Sequence, residues 1–505
     1  MVTQFNRRSF LKLTSGAVAA AMIPGCSGNR QKPNFVFILV DDLGWKDLGC
    51  YGSEFYETPN IDRLAAQGMR FTDAYAACPV CSPTRASIMS GKYPARIHLT
   101  DWIKGRQFQV GDEAINKLIP PEFEHQMALE EVTIAESLKK EKYSTCFIGK
   151  WHLGEADKFW PEHQGFDINI GGWKKGAPYY RHYDYETDEW TGDSGYVSPY
   201  KNPRLEDGPE GEYLTDRLAD EAIKYIKDKQ QNPFLLYLAF YTVHNPMHGK
   251  PEYVAKFKKK AKMMGLDKID PFNYERAWIE KSGRGRYRER YVQSHAEYAA
   301  MVYSLDENVG RVMDTLSELD LEEDTIVIFM SDNGGLSTSE GTPTSNLPLR
   351  AGKGWLYDGG IREPMIIKWP GVIQGGQTCS EPVISTDFYP TMLEMAGMRQ
   401  MPEQHMDGKS MVALLKGDRT FKRGPIFWHY PHYSNQGGKP GAAVRVGDYK
   451  LIEWYETNEI ELYNMRTDYF ERNNLAHKIP DKANELRELL HKWRDRVGAD
   501  MPTPK

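Results

Sequence analysis

The sequence predicts an α/β fold, a mainly parallel central sheet flanked by helices, followed by a small C-terminal α+β subdomain with an antiparallel sheet. Three observations carry this. Residues 34–40, 234–240 and 325–330 are continuous apolar runs rich in β-branched and aromatic members, the pattern of strands buried on both faces. Segments with helical spacing of apolar residues separate these runs, so helix and strand alternate along the chain. From about Phe421 the pattern changes to period two, which marks antiparallel strands with one covered face. The resulting organisation is a leader at residues 1–25, a large domain at 33–415 and the subdomain at 420–505.

After strand 34–40 comes Asp41-Asp42. Thr58-Pro59 reads as an N-cap and first helical residue, with Ile61, Leu64 and Ala65 on one face and Gly68 as the stop. Cys78 to Gly91 then places a cysteine at the mouth of a helix. Thr133 with Glu136 forms a capping box that opens a helix leading into a short strand at 144–148. Residues 157–212 hold many aromatics, Gly and Pro without period and read as long irregular loops. Leu214, Leu218, Ala222 and Ile226 line the helix before strand 234–240. The five lysines between Lys256 and Lys262 read as a solvated helix face. Met301, Leu305, Val309, Val312, Leu316 and Leu319 keep one face of a long helix apolar. Strand 364–369 and helix 388–396 follow. In the subdomain Val444, Val446, Tyr449 and Leu451 alternate, then Ile460 and Leu462, and a last helix with Leu486, Leu489, Leu490, Trp493 and Val497 stops at Gly498.

Composition narrows the function. With 505 residues, 40% hydrophobic and 12% aromatic, the chain can bury a large core, and a net charge of -6 lacks the basic excess of a nucleic-acid binder. Asn6-Arg-Arg-Ser-Phe-Leu-Lys12 is similar to a twin-arginine export signal, and Leu13 to Ile23 is too short to span a bilayer. Ile23-Pro-Gly-Cys26 resembles a lipobox with Cys26 as the lipidated residue. The expectation is an exported bacterial protein, periplasmic or membrane-anchored through Cys26. Six cysteines are too few to staple a chain of this size.

In open α/β sheets ligands bind beyond the carboxyl ends of the strands. Four strands here end in residues fit for metal or anion binding: Asp41 and Asp42, Lys150 and His152, His244, and Asp332 with Asn333. One such end would be unremarkable in a polar loop; four of the same polarity predict one site. Asp41, Asp42, Asp332 and Asn333 are hard oxygen donors, suited to Ca²⁺ rather than to zinc. Cys81, in Cys78-Pro-Val-Cys81, also admits a structural role or a redox pair with Cys78, which itself reads as structural or bridged.

Cys81-Ser-Pro-Thr-Arg85, followed by Ile88-Met-Ser-Gly91, resembles the signature of the formylglycine-dependent, arylsulfatase-like (type I) sulfatases of the alkaline phosphatase superfamily. Asp41-Asp-Leu-Gly-Trp45, Gly149-Lys-Trp-His-Leu-Gly154, Ser331-Asp-Asn-Gly334, Lys353 and Gly359-Gly-Ile-Arg-Glu-Pro364 look like blocks of the same family, so the likeness runs from residue 34 through most of the chain. It implies an alkaline-phosphatase-like large domain. It also implies that Cys81 is oxidised by a formylglycine-generating maturation enzyme to 3-oxoalanine, whose hydrate attacks sulfur. A gem-diol suits this task because its second oxygen can re-form the aldehyde and expel sulfate by carbon–oxygen cleavage. By the same resemblance Asp41, Asp42, Asp332 and Asn333 hold one calcium with residue 81, while Arg85, Lys150 and Lys353 bind sulfate oxygens. His244 protonates the leaving oxygen with help from Lys353, and His152 is the base for elimination.

Aromatic and polar residues at Trp428 to Ser434 suit a sugar ring, which makes His429 and His432 candidate substrate contacts, with Asp101 and Trp102 as a second pair. The predicted substrate is a sulfated carbohydrate, with galactose or N-acetylgalactosamine sulfate as the sugar. Two rivals share the sequence features: a phosphonate or phosphate ester hydrolase of the same superfamily, and a catalytically silent glycan-binding protein.

Overall fold

Every residue of Asn34–Val40 (β1) is buried, and the large domain is layered on its two faces. The structure, a computed structural model, describes residues 32–105, 116–178, 182–184, 189–191, 195–229, 232–273 and 288–505. The twin-arginine segment and Cys26 lie outside the described residues. Lys32–Lys505 forms one compact unit.

Eight further strands complete the central sheet: Met69–Tyr75 (β2), Ser144–Gly149 (β3), Ile168–Ile170 (β4), Phe234–Ala239 (β5), Thr325–Ser331 (β6), Arg362–Lys368 (β7), Gln377–Cys379 (β8) and Val383–Ile384 (β9). Their order is β8-β2-β7-β6-β1-β5-β3-β4, with β9 also on β2. β1 is parallel to both β6 and β5, and β3 is parallel to β5 and β4. β7 runs antiparallel to β6 and β2. Because β7 begins at the edge where β6 ends, residues 332–361 between them remain at that edge.

Side chains alternate across the sheet. Phe35, Phe37 and Leu39 pack with Cys81–Ser90 (α2), Ile134–Lys140 (α3) and Phe388–Met395 (α7). Val36, Ile38 and Val40 pack on the other face with Pro59–Gln67 (α1), Leu214–Lys229 (α4), Pro251–Met263 (α5) and Ala296–Glu318 (α6). Each such side chain contributes about 1.5–3 kcal/mol when fully buried. The capping box at Thr133 is present, with Glu136 N–H donating to the Thr133 hydroxyl at 3.1 Å and Thr133 N–H to the Glu136 carboxylate at 2.7 Å.

Several strands were not evident from periodicity: the short β8 and β9, β4, which joins the central sheet from within the 157–212 stretch expected to be irregular loop, and two longer ones. Met69–Tyr75 carries Asp73 in a buried strand, where Arg362 and Arg445 neutralise it at 2.9 and 2.8 Å. Ile426–Tyr430 (β10) is the aromatic run read as a sugar-binding stretch. It forms the edge of a four-stranded antiparallel sheet with Gly441–Val446 (β11), Tyr449–Trp454 (β12) and Glu459–Asn464 (β13), against which Pro480–Val497 (α8) packs. Trp428 is buried there, its indole N–H donating to Ala76 O at 2.8 Å.

A buried charge network joins the two sheets. Lys450 on β12 lies 2.7 Å from Asp358 and 2.8 Å from Glu471, and Arg362 on β7 meets Asp358 at 3.4 Å. With Asp73 and Arg445 this makes three cations and three carboxylates, all under a tenth exposed. Burial of bare charge is costly, so each sign holds the other in place.

Candidate active site

Strand register brings the predicted residues together. Val40 lies opposite Ser331, Leu39 opposite Ala239, and Ala239 opposite Gly149, so β6, β1, β5 and β3 end side by side. The ladder continues one step past the strands: Asp332 N–H donates to Val40 O at 3.0 Å, Asp41 N–H to Thr242 O at 3.2 Å and Lys150 N–H to Ala239 O at 2.8 Å. α2 enters from β2 with Val80 extended at its N-cap, placing Cys81 on the first turn with 3% exposure. The loop between β6 and β7 adds Lys353.

Three cations meet three carboxylates. Lys150 Nζ is 2.6 Å from Asp41 Oδ2, Lys353 Nζ is 2.6 Å from Asp42 Oδ1, and Arg85 is 2.7 Å from Asp332 Oδ2. Arg85 Nη1 also donates to Lys150 O at 2.6 Å. Asn333 Nδ2 donates to Asp42 Oδ1 at 2.8 Å. Burial alone would raise the Asp42 carboxyl, but Lys353, with Lys150 behind it, holds it below the usual carboxylate range. The Asp41 carboxyl is pushed up by burial, which outweighs Lys150. Lys353, despite burial, is held firmly protonated by Asp42.

The two histidines have defined tautomers, because a carbonyl oxygen can only accept. His152 Nε2–H donates to Ile103 O, so Nδ1 is the bare nitrogen, and it lies 3.3 Å from Cys81 Sγ. His244 Nδ1–H donates to Asn245 O at 2.9 Å, leaving Nε2 toward Asp42 Oδ2 at 3.7 Å. Burial first and then a neighbouring lysine, Lys150 for His152 and Lys353 for His244, lower both pKa values well below the ordinary range. Asp42 and His152 adopt left-handed φ values of 61° and 58°. Non-glycine residues are uncommon there, and such strain concentrates at functional sites.

A hard cation fits this donor set. Asp41 Oδ1 and Asn333 Oδ1 are buried acceptors without a hydrogen-bond partner, and ligand atoms of Asp41, Asp42 and His244 lie within 4.8 Å of one another. Clustered carboxylates with orphaned oxygens suit a hard cation.

A family model described as Sulfatase matches residues 33–398. The chain belongs to the sulfatase family. A second model, N-sulphoglucosamine sulphohydrolase, C-terminal, matches residues 351–496 of this sulfatase. Over 92% of its length it is 32% identical to a protein named Sulfatase from Formosa agariphila, of which 89% is covered. Over 93% of its length it is 30% identical to N-acetylgalactosamine-6-sulfatase of Canis lupus familiaris, of which 82% is covered. Its fold matches the solved structure of Ps i-CgsB in complex with k-i-k-neocarrahexaose with a TM-score of 0.70 and 29% identity, covering 92% of this chain and 93% of the other. The protein is therefore a type I sulfatase, an enzyme that hydrolyses sulfate esters, with the alkaline-phosphatase-like fold.

The candidate sugar contacts are tied into the sulfatase's own packing, Asp101 and Trp102 on the stretch that leads to Ile103 beside His152. His429 is buried, with Nδ1 at 2.7 Å from the Tyr455 hydroxyl and Nε2–H donating to Asp500 O at 2.9 Å, so both nitrogens are engaged within the protein. Burial pushes its pKa down to about 4. His432 is buried with Nε2 at 2.7 Å from Thr100 Oγ1. Asp101 is buried and accepts from Trp102 N–H at 2.9 Å and the Tyr430 hydroxyl at 3.1 Å; burial pushes its pKa up to about 7. Trp102 is partly buried against the C-terminal core. Cys78 and Cys81 are both free thiols, and Cys78 is buried with its S–H 3.9 Å from Thr100 O.

Two participants were given no role by the sequence. Ile103 orients His152 through a main-chain carbonyl, and Ile103 N–H in turn donates to Ser82 Oγ at 3.1 Å. Ser331 Oγ fixes the Asp42 and Asn333 loops by accepting from Leu43 N–H and donating to Asn333 O, both at 3.0 Å.

Proposed function

We propose that this sulfatase is exported and removes sulfate from a carbohydrate sulfate ester, a polysaccharide or oligosaccharide bearing galactose sulfate or N-acetylgalactosamine sulfate. The observation that carries the reaction is the placement of Cys81 beside the bare nitrogen of His152, in a buried pocket with Arg85, Lys150 and Lys353. The sugar is supported by relatives: one is named for N-acetylgalactosamine 6-sulfate cleavage and another is solved with k-i-k-neocarrahexaose. Export and a lipid anchor at Cys26 rest on the leader sequence.

Matured to formylglycine and hydrated, residue 81 would supply the attacking oxygen, and Ca²⁺ on Asp41, Asp42, Asp332 and Asn333 would polarise the sulfate. Arg85, Lys150 and Lys353 bind the sulfate oxygens; their three charges match those of the three aspartates, so a divalent cation leaves the pocket net positive toward an anion. His152, held by Ile103 O, keeps Nδ1 directed at residue 81 and serves there as the base. A sugar alkoxide is a poor leaving group and needs a proton. His244 delivers it from Nε2, with Lys353 assisting. The sulfate ester's own negative charge offsets Lys353 and favours protonated His244 in the complex.

The test is mass spectrometry of residue 81 from the native host, followed by a screen of position-defined sulfated mono- and oligosaccharides. Formylglycine at 81 and turnover of a galactose or N-acetylgalactosamine sulfate are expected, with Cys81→Ala folded and inactive. Unmodified cysteine, a preference for phosphonate esters, or full activity of Cys81→Ala would sink the reading.

A further inference from the structure

The two groups assigned to the leaving oxygen, His244 and Lys353, arrive on separate loops, and something must fix their spacing. Both converge on Asp42, at 3.7 and 2.6 Å, yet Asp42 is itself a candidate metal ligand. Glu340, on the same β6–β7 segment as Lys353, reaches across to the His244 loop. Its Oε2 accepts from Asn245 Nδ2 at 3.0 Å, and its main-chain oxygen accepts from the same amide at 3.2 Å. Its Oε1 accepts from Gln436 Nε2 at 2.7 Å and Asn435 Nδ2 at 2.5 Å.

Two of those amides, Asn245 and Gln436, lead on to the catalytic side chains. Asn245 follows His244 in the chain and receives the His244 Nδ1–H on its carbonyl, so the backbone that Asn245 anchors also sets the imidazole plane. Gln436 O accepts from Trp355 Nε1 and from the Thr338 hydroxyl, both at 3.0 Å. Gly354, the neighbour of Lys353, sits so close to this loop that a Cβ on it would be 2.1 Å from Ser434 Oγ and 2.9 Å from Gln436 Cβ. The segment 434–438 is therefore packed directly against Gly354. Glu340 holds a left-handed φ of 54°, a conformation retained only where surroundings enforce it.

We propose that Glu340 is a positioning residue for proton delivery: its carboxylate ties the His244 loop to the Lys353 loop and fixes the spacing of the two groups at the leaving oxygen. This rests on the reading of His244 and Lys353 given above. Glu340 touches neither sulfate nor nucleophile in the arrangement described, so its effect is confined to steps that need the leaving-group proton.

The consequence is a dependence on leaving group that a merely structural role would not produce. A sugar sulfate needs protonation of its departing oxygen, whereas 4-nitrophenyl sulfate leaves as a stabilised phenolate. For Glu340→Gln, kcat/KM on the sugar sulfate should fall about 30- to 100-fold, mostly in kcat, while 4-nitrophenyl sulfate changes by less than about threefold. Glu340→Asp should give an intermediate loss. Gln436→Leu, which removes one of the amide donors and leaves the main chain, should shift the ratio the same way by a smaller factor and decides the matter should Glu340→Gln fail to fold. Equal losses on both substrates, or no loss on either, overturn the proposal. His244→Asn on the same pair separates the two ideas: loss without leaving-group selectivity there would refute the role of His244, whereas a selective His244→Asn beside an unselective Glu340→Gln refutes only Glu340.

Discussion

Replacing Lys450 by Met removes the cation that two buried carboxylates share. Lys450 Nζ sits 2.7 Å from Asp358 and 2.8 Å from Glu471, and all three side chains are fully buried. A methionine keeps most of the volume, so the loss is electrostatic. Breaking a buried pair from one side costs about 3–5 kcal/mol. Burial, opposed by Lys450, raises the Glu471 carboxyl, whereas Lys450 and the two arginines overcome burial to hold Asp358 low. Without Lys450 the Glu471 carboxyl rises further, and Asp358 loses its strongest counter-charge and rises as well. The folded variant then binds protons that the unfolded chain releases, so its stability falls as pH rises through the carboxylate range and beyond. The deficit against the native protein should be small near pH 4 and largest at neutral pH. Urea unfolding at both pH values reads this directly. Lys450→Met/Glu471→Gln should recover roughly 1–3 kcal/mol of the single variant's loss, since one of the stranded charges is gone. A single-variant cost below about 1 kcal/mol at pH 7, or a pH-independent cost, would refute the account of the network.

His429 predicts a second pH effect. Its folded pKa near 4 lies below the unfolded value of about 6.5, so its contribution is complete above 6.5 and is lost as pH falls toward 4, by about 3 kcal/mol in all; His429→Gln should flatten that slope, and an imidazole titrating near 6.5 by NMR would contradict it. Gly334→Ala would put a Cβ 1.9 Å from Gly359 O and 2.8 Å from Gly360 Cα, backbone on both counts, so a loss of at least about 1–3 kcal/mol with impaired metal binding beside Asn333 is expected by thermal unfolding and calcium titration; an unchanged variant would show that the loops are not locked together. Chelation should abolish turnover and lower the unfolding temperature, with calcium restoring both, a ligand at a hundredfold excess over its Kd being worth about 2.7 kcal/mol; a chelated protein of unchanged stability and activity would exclude the site.

The sheet was legible because its strands are buried on both faces and so carry no polar interruption, as Asn34–Val40 and Thr325–Ser331 do not. Met69–Tyr75 was not, because the charge of Asp73 is cancelled by arginines nearly 290 and 370 positions away, a compensation invisible to local pattern. The same distinction applies at the site. Asp41, Lys150, His244 and Asp332 could be placed because each follows a readable strand, whereas His429 and His432 were read from aromatic composition alone, which does not show that both are buried beside Trp428 and Tyr430. Ile103 and Ser331 act through main-chain or short local contacts, for which residue type gives no sign.

The central position of β1 has a consequence for how the protein is made. This strand leaves the ribosome first, yet both of its partners are encoded far downstream, at Phe234–Ala239 and Thr325–Ser331. At about 5–20 residues per second the first of them appears roughly 10–40 s later and the second later still. Until then a seven-residue apolar segment has neither edge paired, the condition under which nascent chains aggregate. The candidate metal ligands cannot be assembled stepwise either, since Asp41 and Asp332 become neighbours only when β6 docks on β1. Production of this enzyme should accordingly be sensitive to chaperone supply and growth temperature, and its amino-terminal half made alone should be insoluble.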